Sequence, residues 1–179
     1  MIPIPIGPEP TPEYRWVGAP EARRIRSRCT TVGLLVPWAL IAVGTTLLLG
    51  GRLPTADHPI HGIGMILAVA AEVPALIVGV AALSARRHVL AEHVNVASGR
   101  LLGRGMLAMA VLSIVFAFLA GAVLLLTAGS VERMDAVQGV TGTVGGFLVL
   151  PGSCGVLALV GALRTRWALR PPAPPAPVR

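Results

Sequence analysis

The sequence predicts an all-α membrane protein whose four transmembrane helices form a bundle. Three observations predict it. Four stretches, residues 29–50, 61–83, 105–128 and 137–163, are nearly free of charge. The whole chain is 54% hydrophobic and 13% charged, whereas a soluble domain usually carries about 25% charged residues. Its arginines alternate with the apolar stretches instead of scattering among them. About 20 apolar residues at 1.5 Å each cross a hydrocarbon core of about 30 Å, and each stretch reaches that length. Backbone groups in lipid must be bonded within the spanning structure, so each stretch is expected to be a helix. The sequence lacks the short alternating segments of an outer-membrane barrel.

In chain order, residues 1–28 read as a proline-rich tail. "MIPIPIGPEPTPEYRWVGAP" has prolines at 3, 5, 8, 10, 12 and 20, which rules out a regular helix. It is expected to run extended, with Tyr14 and Trp16 at the membrane surface. The first span follows "EARRIRSR" and is longer than a signal-peptide core, so it reads as an uncleaved anchor. The loops "GRLPTADHPI" and "SVERMDA" are too short for a separate domain. Residues 29–163 therefore form the membrane domain, and residues 164–179 an arginine- and proline-rich tail. Within that tail, "PPAPPAP" has polyproline II character. Cys29 and Cys154 lie at different depths, beyond disulfide reach, and read as packing residues.

The net charge of +7 comes from 15 basic residues, all arginine. Five precede the first span, four lie between the second and third, four follow the fourth, and each remaining loop holds one. By the positive-inside rule, both termini and the middle loop are expected in the cytoplasm. Anionic headgroups are then the partner of this charge, and nucleic acid is not needed to explain it. Arginine without lysine, with abundant alanine, glycine and proline, points to a high-GC bacterial genome and hence to a bacterial inner membrane.

Spans two and four share a pattern, "VPALIVGVAALSARR" against "LPGSCGVLALVGALRTR", which makes two tandem hairpins a candidate repeat. Small residues recur at helix-packing spacing. Span two has Gly64, Ala68, Ala71, Ala75, Gly79 and Ala82 on one sector; span three has Ser113, Ala117 and Gly121; span four has Gly142 and Gly146. Such seams let helices approach closely in lipid, against each other or against a further copy or subunit. Pro37, Pro74 and Pro151 each remove a helical hydrogen bond and are expected to bend their spans.

Glu72, in the middle of "MILAVAAEVPALIVGV", is the candidate for chemistry. An ionised carboxylate at the bilayer centre costs about 2.5–3.5 kcal/mol on the insertion scale. It is expected to face other helices and to stay protonated near neutral pH, with Ser113, Thr143, Ser153 or loosened carbonyls as partners. It is either a structural hydrogen-bond donor or a proton or cation site.

Three weaker sets complete the search. Asp57, His58 and His61 form a candidate metal or haem site at the other end of span two, short of a further ligand. "HVLAEH" has one residue too many for the inverted zinc-protease spacing and reads as an interfacial segment with Val89, Leu90, Leu101 and Leu102 toward lipid. "TVGGF" lacks the pore-helix context of an ion filter and reads as packing glycines. No nucleotide loop, nucleophile elbow or catalytic carboxylate pair appears, and no cofactor is implied. The expected role is an accessory or assembly subunit of a larger membrane complex. The alternatives are a small oligomeric proton- or cation-coupled transporter or channel using Glu72, and a metal or haem redox subunit.

Overall fold

The computed structural model describes residues 14–53, 56, 58–128 and 134–169. It is an all-α bundle of four helices long and apolar enough to cross a membrane, as a multi-pass membrane protein requires. These spans are Ala19–Gly50, His61–Arg87, Gly99–Ala128 and Gly139–Ala168. The first comprises α1 (Ala19–Gly33) and α2 (Leu35–Gly50), the second is α3 (His61–Arg87), the third lies in α4 (Val96–Ala128), and the fourth comprises α5 (Met134–Phe147) and α6 (Val149–Ala168).

The helices outrun the apolar stretches, and they do so at one end of the bundle. α1 begins at Ala19, α3 continues to Arg87, and α6 continues to Ala168. Gly18, at φ 78°, supplies the left-handed turn before α1, and Pro20 and Glu21 occupy its first turn. A fixed proline φ and an acidic side chain both suit a helix start. The arginine-bearing turns therefore belong to the helices and not to loose tails.

Helical geometry breaks at Leu34 and at Leu148, each three residues before a proline, Pro37 and Pro151. A proline offers no N–H to the carbonyl four residues back and its ring crowds that turn, so the ladder gives way there. α3 runs through Pro74 as one element.

α3 is the central helix. It meets α1, α2, α4 and α6, and its most extensive interface is with α4. The expected hairpins would divide the chain between α3 and α4, so they do not stand apart as units. Three buried clusters stack along the bundle. Leu53, Ala68, Leu124, Val144 and Phe147 fill one end. Leu35, Ala75, Val78, Met106 and Cys154 fill the middle. Ile25, Cys29, Val89, Val94 and Leu169 fill the arginine end.

That last cluster corrects the reading of Val89 and Leu102 as lipid-facing. Val89 is buried and Leu102 is half-buried against it, while Leu90 and Leu101 remain exposed. The cause is a pairing across 80 residues of chain. Strand β1 (Tyr14–Trp16) pairs antiparallel with β2 (His93–Asn95), matching Tyr14 with Asn95 and Trp16 with His93. The Trp16 indole N–H donates to Glu92 Oε2 at 3.2 Å, and the Val17 N–H donates to the Glu92 carbonyl at 2.8 Å. Arg26 of α1 donates two bonds, at 3.0 and 2.8 Å, to the Val89 carbonyl. The extended tail is thus, over residues 14–16, a strand that clasps the middle loop onto the bundle. Extended backbone leaves its polar groups open, and a second extended segment satisfies them.

Candidate functional site

Glu72 is fully buried, eleven residues from the start of α3 and fifteen from its end. Three things position it. The alanines around it on the same sector, Ala68, Ala71 and Ala75, are also fully buried, so α3 turns this face inward. Gly79 allows α2 to close against α3: a Cβ there would stand 2.9 Å from Val36 Cγ2 and 3.0 Å from the Val36 nitrogen. Gly64 does the same for α4, where a Cβ would meet Leu124. Small residues bring the backbones together, and polar side chains then reach across.

The Thr46 hydroxyl of α2 donates to Glu72 Oε1 at 2.6 Å. Interhelical bonds of this kind contribute about 0.6 kcal/mol on average in membranes, up to about 2. Ser113 of α4 donates to the Ala71 carbonyl beside it. Cys154 of α6 is buried in the same cluster as Ala75 and Val78 of α3. The first and third spans thus each place a buried hydroxyl against α3, one on Glu72 and one on its neighbour Ala71. Among the described residues no arginine is buried, and Glu72 Oε2 has no hydrogen-bond partner. A buried polar atom left unbonded costs about 1–3 kcal/mol.

The partners differ from those expected. Thr143 bonds the Gly139 carbonyl in its own helix, and Ser153 bonds the Leu150 carbonyl in its own. Ser113 reaches α3 but takes a backbone carbonyl. Thr46 is not among the expected partners. Its signal in the sequence is the pair Thr45–Thr46 inside an apolar run. Thr45 bonds the Ile41 carbonyl of its own helix at 2.8 Å, while Thr46 turns inward.

The remaining candidates separate. Ala117 and Gly121 are half-buried, and a Cβ at Gly121 would touch only Leu148, at 3.5 Å. Gly142 and Gly146 are exposed, with nothing within 4 Å of an added Cβ, so their seam has no neighbour among the described residues. His61 is buried, its Nε2 3.1 Å from the Gly50 carbonyl, and ties the start of α3 to the end of α2. His58 Nδ1 accepts from the Ile60 N–H at 3.2 Å. Asp57 lies outside the described residues. Among the described residues no three His, Cys, Asp or Glu side chains converge on a metal-sized site. Comparison with family models, curated proteins and solved structures finds no match to this chain.

Proposed function

We propose that this chain is an accessory or assembly subunit that works by packing against another membrane-embedded chain. One observation carries the reading: α5 has a glycine face with nothing opposite it among the described residues. Val140, Val144 and Phe147 turn into the bundle, while Gly139, Gly142 and Gly146 turn out into open space. Each interior glycine costs about 1 kcal/mol relative to alanine in a helix. In lipid, the compensating gain is the dispersion energy of a second helix brought close. Gly64, Gly79, Gly155 and Gly161 already have their neighbours inside the chain, and the open glycines of the other helices, Gly44, Gly62, Gly105 and Gly152, stand one to a helix and form no such face.

The membrane proposed is the bacterial inner membrane, with both termini and the connection between α3 and α4 cytoplasmic. Its support is the distribution of arginine, thirteen residues on that side against two on the other. Reporter fusions after Arg104 and near Asp135 test it: a cytoplasmic signal at Asp135 overturns the orientation.

Purification in mild detergent tests the subunit reading. A stoichiometric membrane partner, or a second copy, is expected to co-elute with the native chain. It is expected to be lost from Gly142→Leu/Gly146→Leu while the chain itself stays folded. Elution of the native chain alone, or retention of the partner by the double variant, refutes it.

A second reading has its own support. The unbonded Glu72 Oε2 in the bundle core is the kind of group that holds a proton or a small cation. Glu72→Gln keeps size and hydrogen-bonding capacity but cannot exchange a proton. Unchanged assembly with loss of a pH-dependent ion flux in vesicles supports that reading; unchanged flux removes it.

A further inference from the structure

We propose that the groove between the first and fourth spans binds one anionic phospholipid, headgroup and chain together. Arg28 of α1 and Arg164 of α6 both line a pocket of about 450 Å³, together with Ser27, Thr31 and Trp167. The two arginines come from opposite ends of the sequence. Each stands at the edge of an apolar run, Arg28 just before Cys29 and Arg164 just after Leu163. That is the boundary between hydrocarbon and water, where a phospholipid phosphate lies.

The pocket is basic and uncompensated. Among the described residues no acidic side chain lines it. Neither arginine has an ion pair or hydrogen bond among the described residues. Thr31 donates to the Ser27 carbonyl, and the Ser27 hydroxyl is exposed with no partner among the described residues. Guanidinium groups match phosphate oxygens in pairs. Trp167 is 70% exposed. Its ring suits the interfacial layer beside a headgroup.

The second observation points to a lipid and not to a free anion. A further cavity of about 120 Å³ shares Thr31 and Arg164 with the first and descends along Leu157, Val160 and Gly161. A polar mouth thus opens into an apolar groove running toward the membrane interior. Its floor is fixed by close contact. A Cβ at Gly161 would stand 2.9 Å from Val32 Cγ1, so α1 and α6 meet there and leave a channel outside the contact. Leu157 and Val160 are each 43% exposed and wall it. Inorganic phosphate fills only the mouth; an acidic peptide gains nothing from the groove. A glycerophospholipid satisfies both parts. This inference does not depend on a subunit partner, since α5 and its glycines lie outside the groove.

The test uses the full chain in nanodiscs of phosphatidylglycerol and phosphatidylcholine in equal parts, released into mild detergent and weighed by native mass spectrometry. One phosphatidylglycerol per chain is expected to remain, in preference to phosphatidylcholine. Each basic residue near an anionic surface contributes about fivefold in affinity, so Arg28→Gln/Arg164→Gln is expected to lower retention about thirtyfold. Arg23→Gln/Arg104→Gln removes equal charge from the same end outside the pocket and is expected to lower retention far less. Val160→Gln, in the groove, is expected to lower retention with both arginines in place. Circular dichroism checks that each variant stays helical. Three outcomes overturn the proposal: equal retention of the two lipids, equal loss in the Arg23/Arg104 control, or arginine-dependent binding of inorganic phosphate or polyglutamate without retained lipid.

Discussion

Gly79 of α3 and Gly146 of α5 are the same residue in the same kind of apolar helix, and their surroundings are opposite. A Cβ at Gly79 would press on the Val36 backbone; at Gly146 it would meet nothing within 4 Å. α3 is the helix on which the bundle is built, and it carries the buried Glu72 on the face its small residues create. α5 is attached by Val140, Val144 and Phe147 and leaves its glycines uncovered. A small-residue seam thus states that a helix can be approached closely. It does not state by what.

The largest effect expected from this contrast is at Gly79. Gly79→Leu forces a branched side chain against a backbone nitrogen at 3.0 Å, which cannot swing aside as a side chain can. A loss of about 3 kcal/mol or more is expected in unfolding of the detergent-solubilised chain. Gly146→Leu is expected to leave the isolated chain no less stable, since the side chain enters open space and leucine is the better helix former. Equal losses at the two sites break the comparison.

Gly64→Ala comes next. The obstacle there is the Leu124 side chain, 2.6 Å from the added carbon, and a leucine can change rotamer. A loss of about 1–2 kcal/mol is expected in the same measurement. A loss as large as that of Gly79→Leu shows that Leu124 is locked and that the α3–α4 seam is as rigid as the α2–α3 seam.

The Thr46–Glu72 bond sharpens the comparison from inside α3. A double-mutant cycle of Thr46→Val and Glu72→Leu is expected to give a coupling of about 1 kcal/mol. Zero coupling removes the cross-helix bond and leaves Glu72 with neither oxygen engaged.

The smallest effect has the opposite sign. Gly142→Ala adds a methyl group to open space. It is expected to stabilise the isolated chain by about 0.5–1 kcal/mol through helix propensity. Destabilisation of the isolated chain breaks the account of α5 as unpartnered within it.

Much of this molecule was legible without coordinates. The count, type and approximate position of the spans follow from the local cost of burying charge and open backbone in lipid, which each stretch satisfies by itself. The inward face of α3 follows too, because Gly64, Ala68, Ala75 and Gly79 fall on one sector at 100° per residue. The polar partner of Glu72 did not follow. Thr46 and Ser113 are both hydroxyl side chains in apolar runs, and which one reaches the carboxyl depends on tilt and offset between helices, quantities that residue counting does not carry.

By itself, then, the sequence determined what a single helix settles with its solvent: where spans lie and where arginine collects; of the three prolines expected to bend their spans, Pro37 and Pro151 follow a break in the helix and Pro74 lies within the continuous α3. Tertiary structure decided what depends on two segments meeting. It paired Tyr14–Trp16 with His93–Asn95, buried Val89, brought Arg28 and Arg164 to one pocket, gave Thr46 to Glu72, and left Gly142 and Gly146 without a neighbour among the described residues. The physical reason is range. Partition into lipid and backbone satisfaction act within one helix, whereas close approach and cross-helix hydrogen bonds depend on distances between segments far apart in the chain.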